Sequence, residues 1–592
     1  MKMRTFLVAG ILCALSQTVL AAPPFEKILP DDTIAFITAR NIPQLQARIK
    51  DQAVYALWNE PSVQRFLEKP LQRLTQELQK AEGQAGVKLS EIWPLFRGQA
   101  ALVVSTDAQA NEPEILLLAD VGDQGPKAML VIGALCGAFA EKLQTAALKP
   151  VEEQIEGVKF VRMQAPAPEG GAAAPEPAFT YGVLGDTLIL GRPLSAVKRT
   201  AGFIKTEAPT ALANAASYRL VLDKVSADSD FLAFVNVPRI VAIANQKAQG
   251  TQATQILGAL GLNGLGPAGA AVTFGQDYST SRIFLQTGGA PQGIVKILMP
   301  VPGPLHAGAE APDDVASFIS LRFDAAVIWD EVEKTIAAIS PDTLTQLNAV
   351  INQFAQQLGR PFSLRNDILA VFGPRLAMYT RFEKPYNLMT SQQFVIMVDI
   401  SSKAAFNSAL ENLQKVAPPM LALFQPREYL GHQVYVLTLP TPPGAPPAPT
   451  TQGTAQPAFV ATDKEFIFST RVEALEAHLR RMAGSGPSLQ ARPEFQEALK
   501  SLPPEARVMV GFADPVRQME YFLTILKEGQ FGPILGLLQR DPDVAEVMNL
   551  FDFSLLPDPA VVTKYLSPSA TCAIVQPDGL LILSKSPTKP AK

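Results

Sequence analysis

The chain has 592 residues, 47% apolar and 18% charged, so it has the means to bury more than one core and is not a disordered polymer. Its formal net charge of −4 lacks the basic excess that neutralises phosphates, which excludes nucleic acid as an expected partner.

At the start, Lys2 and Arg4 precede an apolar run over residues 5–20, and Val19-Leu20-Ala21 ends it with a small-residue cleavage site. Residues 1–21 therefore read as a secretory signal peptide, and the mature chain is expected in the periplasm or extracellular space. Cys13 is not read as a lipid-bearing cysteine, because Leu12 before it is bulky and the apolar run continues past it. The best later apolar run, 128–140, is closed by Lys127 and Glu141. It falls short of the roughly 20 residues that span a bilayer, so a buried helix is expected and no transmembrane segment remains after cleavage. The two remaining cysteines, Cys136 and Cys572, either pair across the two halves of the chain or sit as small buried side chains.

An internal repeat organises the rest. Pro30-Asp31-Asp32-Thr33-Ile34-Ala35-Phe36-Ile37-Thr38-Ala39-Arg40 recurs as Pro312-Asp313-Asp314-Val315-Ala316-Ser317-Phe318-Ile319-Ser320-Leu321-Arg322. Pro and Asp set a turn, and the β-branched and aromatic residues after it suit a strand. A helix start follows each, at Asn41 with Pro43 and at Asp324, and each helix carries a tryptophan, Trp58 or Trp329. More helix is expected over 61–82 and 341–358, then strand pairs at 100–105 with 115–121 and at 376–381 with 394–400. Helices over 126–146 and 402–417 come next, then a strand opening after Gly157 or Gly431. Both halves then carry a low-complexity insert, 165–177 rich in Ala and Pro and 440–457 rich in Pro and Thr. Such composition favours a solvated loop or a semi-rigid arm. A strand (179–190, 459–468), a helix (193–205, 471–483) and a leucine-anchored segment (212–222, 489–499) follow. A strand (231–238, 508–515), further helix (239–260, 516–549) and a closing hairpin complete each half, the second turning on Gln576-Pro577-Asp578-Gly579.

The expected fold is thus α+β: two tandem copies of one unit, each an antiparallel or mixed sheet with helices packed on one face. The first repeat spans 22–303 and the second 304–585, with a Pro- and Gly-rich boundary at 301–311 and a frayed tail at 586–592.

Chemistry is harder to find. His306, His432 and His478 lack metal-ligand spacing, and no His-Glu-x-x-His, Cys-x-x-Cys or Gly-x-Ser-x-Gly occurs. Gly264-Leu265-Gly266-Pro267-Ala268-Gly269 fits the dinucleotide pattern, but helix precedes it and strand follows, the reverse of what that fingerprint requires. Ser195-Ala196-Val197-Lys198 fits the acylating Ser-x-x-Lys pair without its Lys-Thr-Gly partner, and reads better as a solvated helix start. Asp31-Asp32 and Asp313-Asp314 are the paired carboxylates present in both halves, and a structural turn is the favoured reading. Arg40 and Arg322 end the following strands and are candidates to pair with those acids or to face a ligand. The apolar, glycine-punctuated stretches 256–270 and 531–538 read as core, with a lipid-type cavity or a membrane surface as alternatives.

The order of features resembles a group of large exported proteins of planctomycete-type bacteria, catalogued as domain-of-unknown-function proteins. The residues that carry the resemblance are Leu29-Pro30-Asp31-Asp32, Leu321-Arg322-Phe323-Asp324, Ile328-Trp329-Asp330 and the terminal Gln576-Pro577-Asp578-Gly579 hairpin. These are structural motifs, so the resemblance implies no activity and no catalytic, cofactor or metal residue. The reading favoured by the residues is a non-catalytic exported protein that binds or builds the envelope. The alternatives are a carrier of an apolar, lipid-like ligand and a hydrolase using carboxylates.

Overall fold

The computed structural model describes residues 22–589 other than 86–91, 107–112, 143–147, 166–177, 439–455, 504–506, 533–534, 537–539 and positions 250, 290, 304, 306 and 485. The two low-complexity inserts expected at 165–177 and 440–457 thus lie, but for their ends, outside the described residues. The described chain divides into two units. The first takes residues up to Gln46, Leu74–Leu220 and Asp230–Val235, and the second takes Ala47–Arg73, Val221–Ser229 and everything from Asn236 on. The second therefore draws on residues from both sides of the 303/304 point.

In the first unit the strands are β1 (Ala35–Ala39), β2 (Ala100–Thr106), β3 (Pro113–Asp120), β4 (Lys149–Ile155), β5 (Val158–Gln164), β6 (Phe179–Leu184), β7 (Thr187–Arg192) and β8 (Phe231–Val235). They pair antiparallel in the order β8-β1-β2-β3-β7-β6-β5-β4. Alternation along the strands puts Phe36, Val103, Leu116 and Phe234 in one cross-strand row, all buried. Tyr218 meets Phe36 and Phe234 edge-on, at 6.2 and 5.3 Å between centroids. Helix α1 (Leu194–Thr206) buries Ala196, Val197, Thr200 and Ala201 over β3, β6 and β7. On the opposite face, Ile37, Leu102 and Leu117 face one another across β1, β2 and β3, with Ile115 beside them, and their exposures are 48%, 43%, 37% and 45%.

The second unit contains β9 (Leu265–Phe274), β10 (Tyr278–Thr287), β11 (Ser317–Arg322), β12 (Phe372–Phe382), β13 (Gln392–Ile400), β14 (Phe424–Tyr429), β15 (His432–Leu437), β16 (Ala458–Ala461), β17 (Glu465–Ser469), β18 (Arg507–Ala513), β19 (Ser569–Gln576) and β20 (Gly579–Pro587). Their order is β14-β15-β16-β17-β13-β12-β11-β18-β19-β20-β10-β9, again antiparallel throughout. Neighbours repeat between the units: β11 lies between β12 and β18 as β1 lies between β2 and β8. The Pro-Asp-Asp turn is tied down in the same way in each. Pro30 bridges Ala211 and Pro312 bridges Ser488, while Leu212 N–H donates to Leu29 and Leu489 N–H to Ala311, both at 2.8 Å.

Helices on one face do not describe this sheet. Ala458, Val460 and Ile467 join a core with Phe318, Tyr379 and Leu475, whereas Phe459, Ala461 and Phe466 join a second core with Phe362 and Phe406. Neighbours in sequence point to opposite faces of a strand, so β16 and β17 are covered on both sides. This is why they read as continuous apolar runs rather than as alternating strands.

Three further differences have local causes. The strands expected after Gly157 and Gly431 are the second arms of hairpins whose first arms, β4 and β14, carry Pro150 and Pro426 and many charges, the composition of protected edge strands. The strands expected at 179–190 and 459–468 are also hairpins, β6–β7 and β16–β17. The tail expected to fray from 586 is strand through Pro587. Thr588 is buried, its N–H donating to Asp277 at 2.8 Å and its hydroxyl to Gly275 at 3.0 Å.

The β14–β15 turn offers a clean test of backbone strain. Leu430 and Gly431 have φ of 49° and 74°, as Glu156 and Gly157 have 53° and 78° in the β4–β5 turn. Positive φ at both central residues defines a type I′ turn, which suits Asn-Gly and penalises a leucine. Leu430 is 56% exposed, so its side chain holds little core together. Leu430→Asn is expected to raise stability by about 1 kcal/mol in urea unfolding; a loss instead would mean that the leucine packs.

Candidate functional site

The two units carry buried polar groups in the same slot, on the strand pair beside the Pro-Asp-Asp turn. In the first unit β2 and β3 bring Ser105 opposite Glu114. Glu114 is 1% exposed, accepts from the Ser105 hydroxyl at 2.6 Å, and is ion-paired with Arg199 of α1. A buried carboxylate needs such a partner. Asp31 ties its turn to Thr210, accepting from the Thr210 hydroxyl at 3.1 Å while its N–H donates to the Thr210 carbonyl at 2.8 Å.

In the second unit the corresponding register pair is Arg381 and Gln393, on β12 and β13. Arg381 Nε donates to Asp314 Oδ2 at 2.7 Å and Nη1 to Gln393 Oε1 at 3.4 Å. The turn is held from the other side by Arg492, which reaches the Asp313 carbonyl at 3.3 Å and Asp514 Oδ2 at 2.7 Å. Helix α2 (Val472–Met482) lies over this slot and buries Val472, Leu475, His478 and Leu479 along one stripe. Its sixth residue is Ala477, where α1 has Arg199 as its sixth. The arginine side chain fills space in the first unit; the small alanine lines a cavity of about 200 Å³ in the second. Asp313, Asp314, Tyr379, Arg381, His478 and Arg481 also line it.

Arg481 sets the electrostatics. Its Nη1 donates to the Ala309 carbonyl at 3.0 Å and its Nη2 lies 2.8 Å from His478 Nδ1. An arginine only donates, so Nδ1 accepts and the imidazole proton sits on Nε2. Burial, then the charges of Arg481 and Arg375, push the His478 pKa down to about 3, so the ring is neutral. Nε2 is buried without a hydrogen-bond partner, and so is Asp314 Oδ1. Burial raises the Tyr379 phenol, whose hydroxyl lies 3.3 Å from the same Nδ1.

No family model and no curated protein matches the chain. Solved structures similar to it include crystal forms III, I and IV of TP0453, at 10%, 9% and 8% identity and TM-scores of 0.23, 0.24 and 0.22. The alignments cover 48%, 48% and 45% of this chain and 89%, 90% and 81% of those chains. Likeness at that level carries no argument about fold or function.

The residues singled out in the sequence separate into several places. Asp313, Asp314 and His478 come together at the cavity. His306 lies outside the described residues. His432 opens β15 and lines a separate polar groove with Lys403 and Asn407. Among the described residues, no group of three His, Cys, Asp or Glu side chains is placed to hold a metal ion. Gly264 ends a short helical turn and Leu265 to Gly269 already belong to β9, whose ladder partner is β10, so the stretch forms no strand-to-helix phosphate turn. Lys198 is ion-paired with Glu153 at 2.7 Å on the exposed side of α1, not with Ser195. Arg40 pairs with Glu26 at 3.6 Å. Cys136 and Cys572 are buried free thiols, and burial pushes Cys136 up to about 12. No described helix is long and apolar enough to cross a membrane. Arg381 and Arg481 were not singled out in the sequence, though His478 and Arg481 stand three apart on one helix face.

Proposed function

We propose that the chain is an exported protein made of two tandem copies of one α+β unit, and that it acts by binding rather than by catalysis. The observation that carries this reading is the shared polar slot, filled in the first unit and opened into a cavity in the second. Two features suit holding a ligand rather than reacting with it: Asp314 is ion-paired with Arg381, and His478 is kept neutral with a pKa far from 7. The test is a thermal-shift screen of the mature protein against small polar metabolites. At least one is expected to raise the melting temperature, and its effect to disappear in Ala477→Leu, which fills the cavity. A flat screen would count against the reading. Export is checked on the same material, since the mass of the secreted protein should correspond to an amino terminus at Ala22.

A second reading, a carrier of an apolar ligand, rests on the row Ile37, Leu102 and Leu117 with Ile115, an apolar strip on the uncovered face of β1 to β3. It predicts that an apolar dye binds and that Leu102→Lys abolishes the signal.

A further inference from the structure

We propose that the cavity beneath the Pro312-Asp313-Asp314 turn binds a small zwitterion of the α-amino acid type, an inference that rests on the binding reading above. Its two sides differ in chemistry. The α2 side supplies Arg481, whose nitrogens reach a carbonyl and the His478 imidazole. Among the described residues no carboxylate lies within ion-pair distance of Arg481, so its charge has no direct counter-ion. A half-buried guanidinium that lines a cavity without a direct counter-ion is a carboxylate-binding group. The turn side supplies acceptors: Asp314 Oδ1, buried without a partner while Oδ2 is held by Arg381, and the Asp313 carboxylate. These suit an ammonium group.

A plain anion would satisfy the α2 side and leave Asp314 Oδ1 unmatched, with Asp313 repelling it. A plain cation would do the reverse at Arg481. A ligand carrying both charges satisfies both sides at once and leaves the cavity's net charge unchanged. The volume, about 200 Å³, is below the roughly 300–1,000 Å³ of drug-sized sites and restricts the ligand to a few heavy atoms. The first unit holds the same pair of charges internally, because Arg199 reaches in from α1 to Glu114. The free ligand would supply in the second unit what the Arg199–Glu114 pair supplies in the first.

The experiment uses the full mature chain and isothermal titration with the α-amino acids one at a time, with acetate and methylamine as single-charge controls. At least one amino acid is expected to bind at one site per chain, and both controls to bind about tenfold more weakly or worse, a difference of about 1.4 kcal/mol. Arg481→Gln and Asp314→Asn should each weaken binding by a similar factor. Ala477→Leu, which leaves every charge in place, should abolish it while the melting temperature holds. Binding of acetate as tight as that of the amino acid, lost in Arg481→Gln, would overturn the zwitterion and leave the binding reading standing. No response to any amino acid also overturns it, and a polyol or sugar panel then decides the wider reading: a hit abolished by Ala477→Leu keeps it, and none sinks both.

Discussion

Arg375→Met is expected to cost the second unit about 3–5 kcal/mol, the largest effect of any single substitution argued from this structure. Arg375 lies on β12 with its side chain 19% exposed, and three carboxylates converge on it. Glu310 and Asp399 lie at 3.0 Å and Glu465 is in direct contact, with exposures of 10%, 31% and 13%. Methionine keeps most of the length and removes the charge, so three acids would share a partly dry site with no direct cation. Burial already raises the Glu310 pKa, and the neighbouring Glu465 adds to that against the pull of Arg375. The defect should therefore shrink as pH falls and Glu310 takes up a proton. Urea unfolding of parent and variant at pH 7 and pH 5 measures both. A difference below about 1 kcal/mol at pH 7 would show that the network is solvated and contributes little.

The second large effect is a loss of stability in mild acid that belongs to one imidazole. An unfolded His478 takes up a proton below about pH 6.5, and the folded one does so only near pH 3, because burial and the facing Arg481 and Arg375 disfavour the cation. Between these values the unfolded state binds the extra proton, so stability falls as pH drops through the window. From pH 6.5 to 4.5 this group alone should remove about 2 kcal/mol. His478→Gln, which keeps a polar side chain of similar reach and cannot titrate, should flatten that part of the profile. Equal slopes for parent and variant over pH 4.5–6.5 would mean that water reaches the ring and that the folded pKa is ordinary. The two predictions are coupled through Arg375, so the Arg375→Met protein should show a shallower histidine slope as well.

How much of this was legible depends on how local each signal is. The Pro-Asp-Asp turns and the strands β1 and β11 were readable because turn residues and the apolar pattern agree within a dozen positions. The terminal hairpin was readable because Pro577-Asp578-Gly579 permits little else. β4 and β14 were missed because an edge strand is selected for charges and proline, which read as loop. The cavity was half visible. Asp313 and Asp314 announce themselves as a pair, and His478 falls on the stripe Val472, Leu475, Leu479, from which burial follows. Tyr379 and Arg381, two apart on one strand, share a face. That these faces converge beneath a turn some 70 residues before Arg381 and 160 before His478 is set by strand order, which no local pattern encodes.

Strand order also governs when the second unit is finished. β20 lies between β19 and β10, with Ile582 opposite Ile283 and Gly579 opposite Gln286, so two segments some 300 positions apart meet in one ladder. Until β20 is in place, β10 presents an open edge, on which Ile283 is half exposed even in the folded sheet. Completion of this part of the sheet therefore waits on β20, and its long loop closure makes it slow.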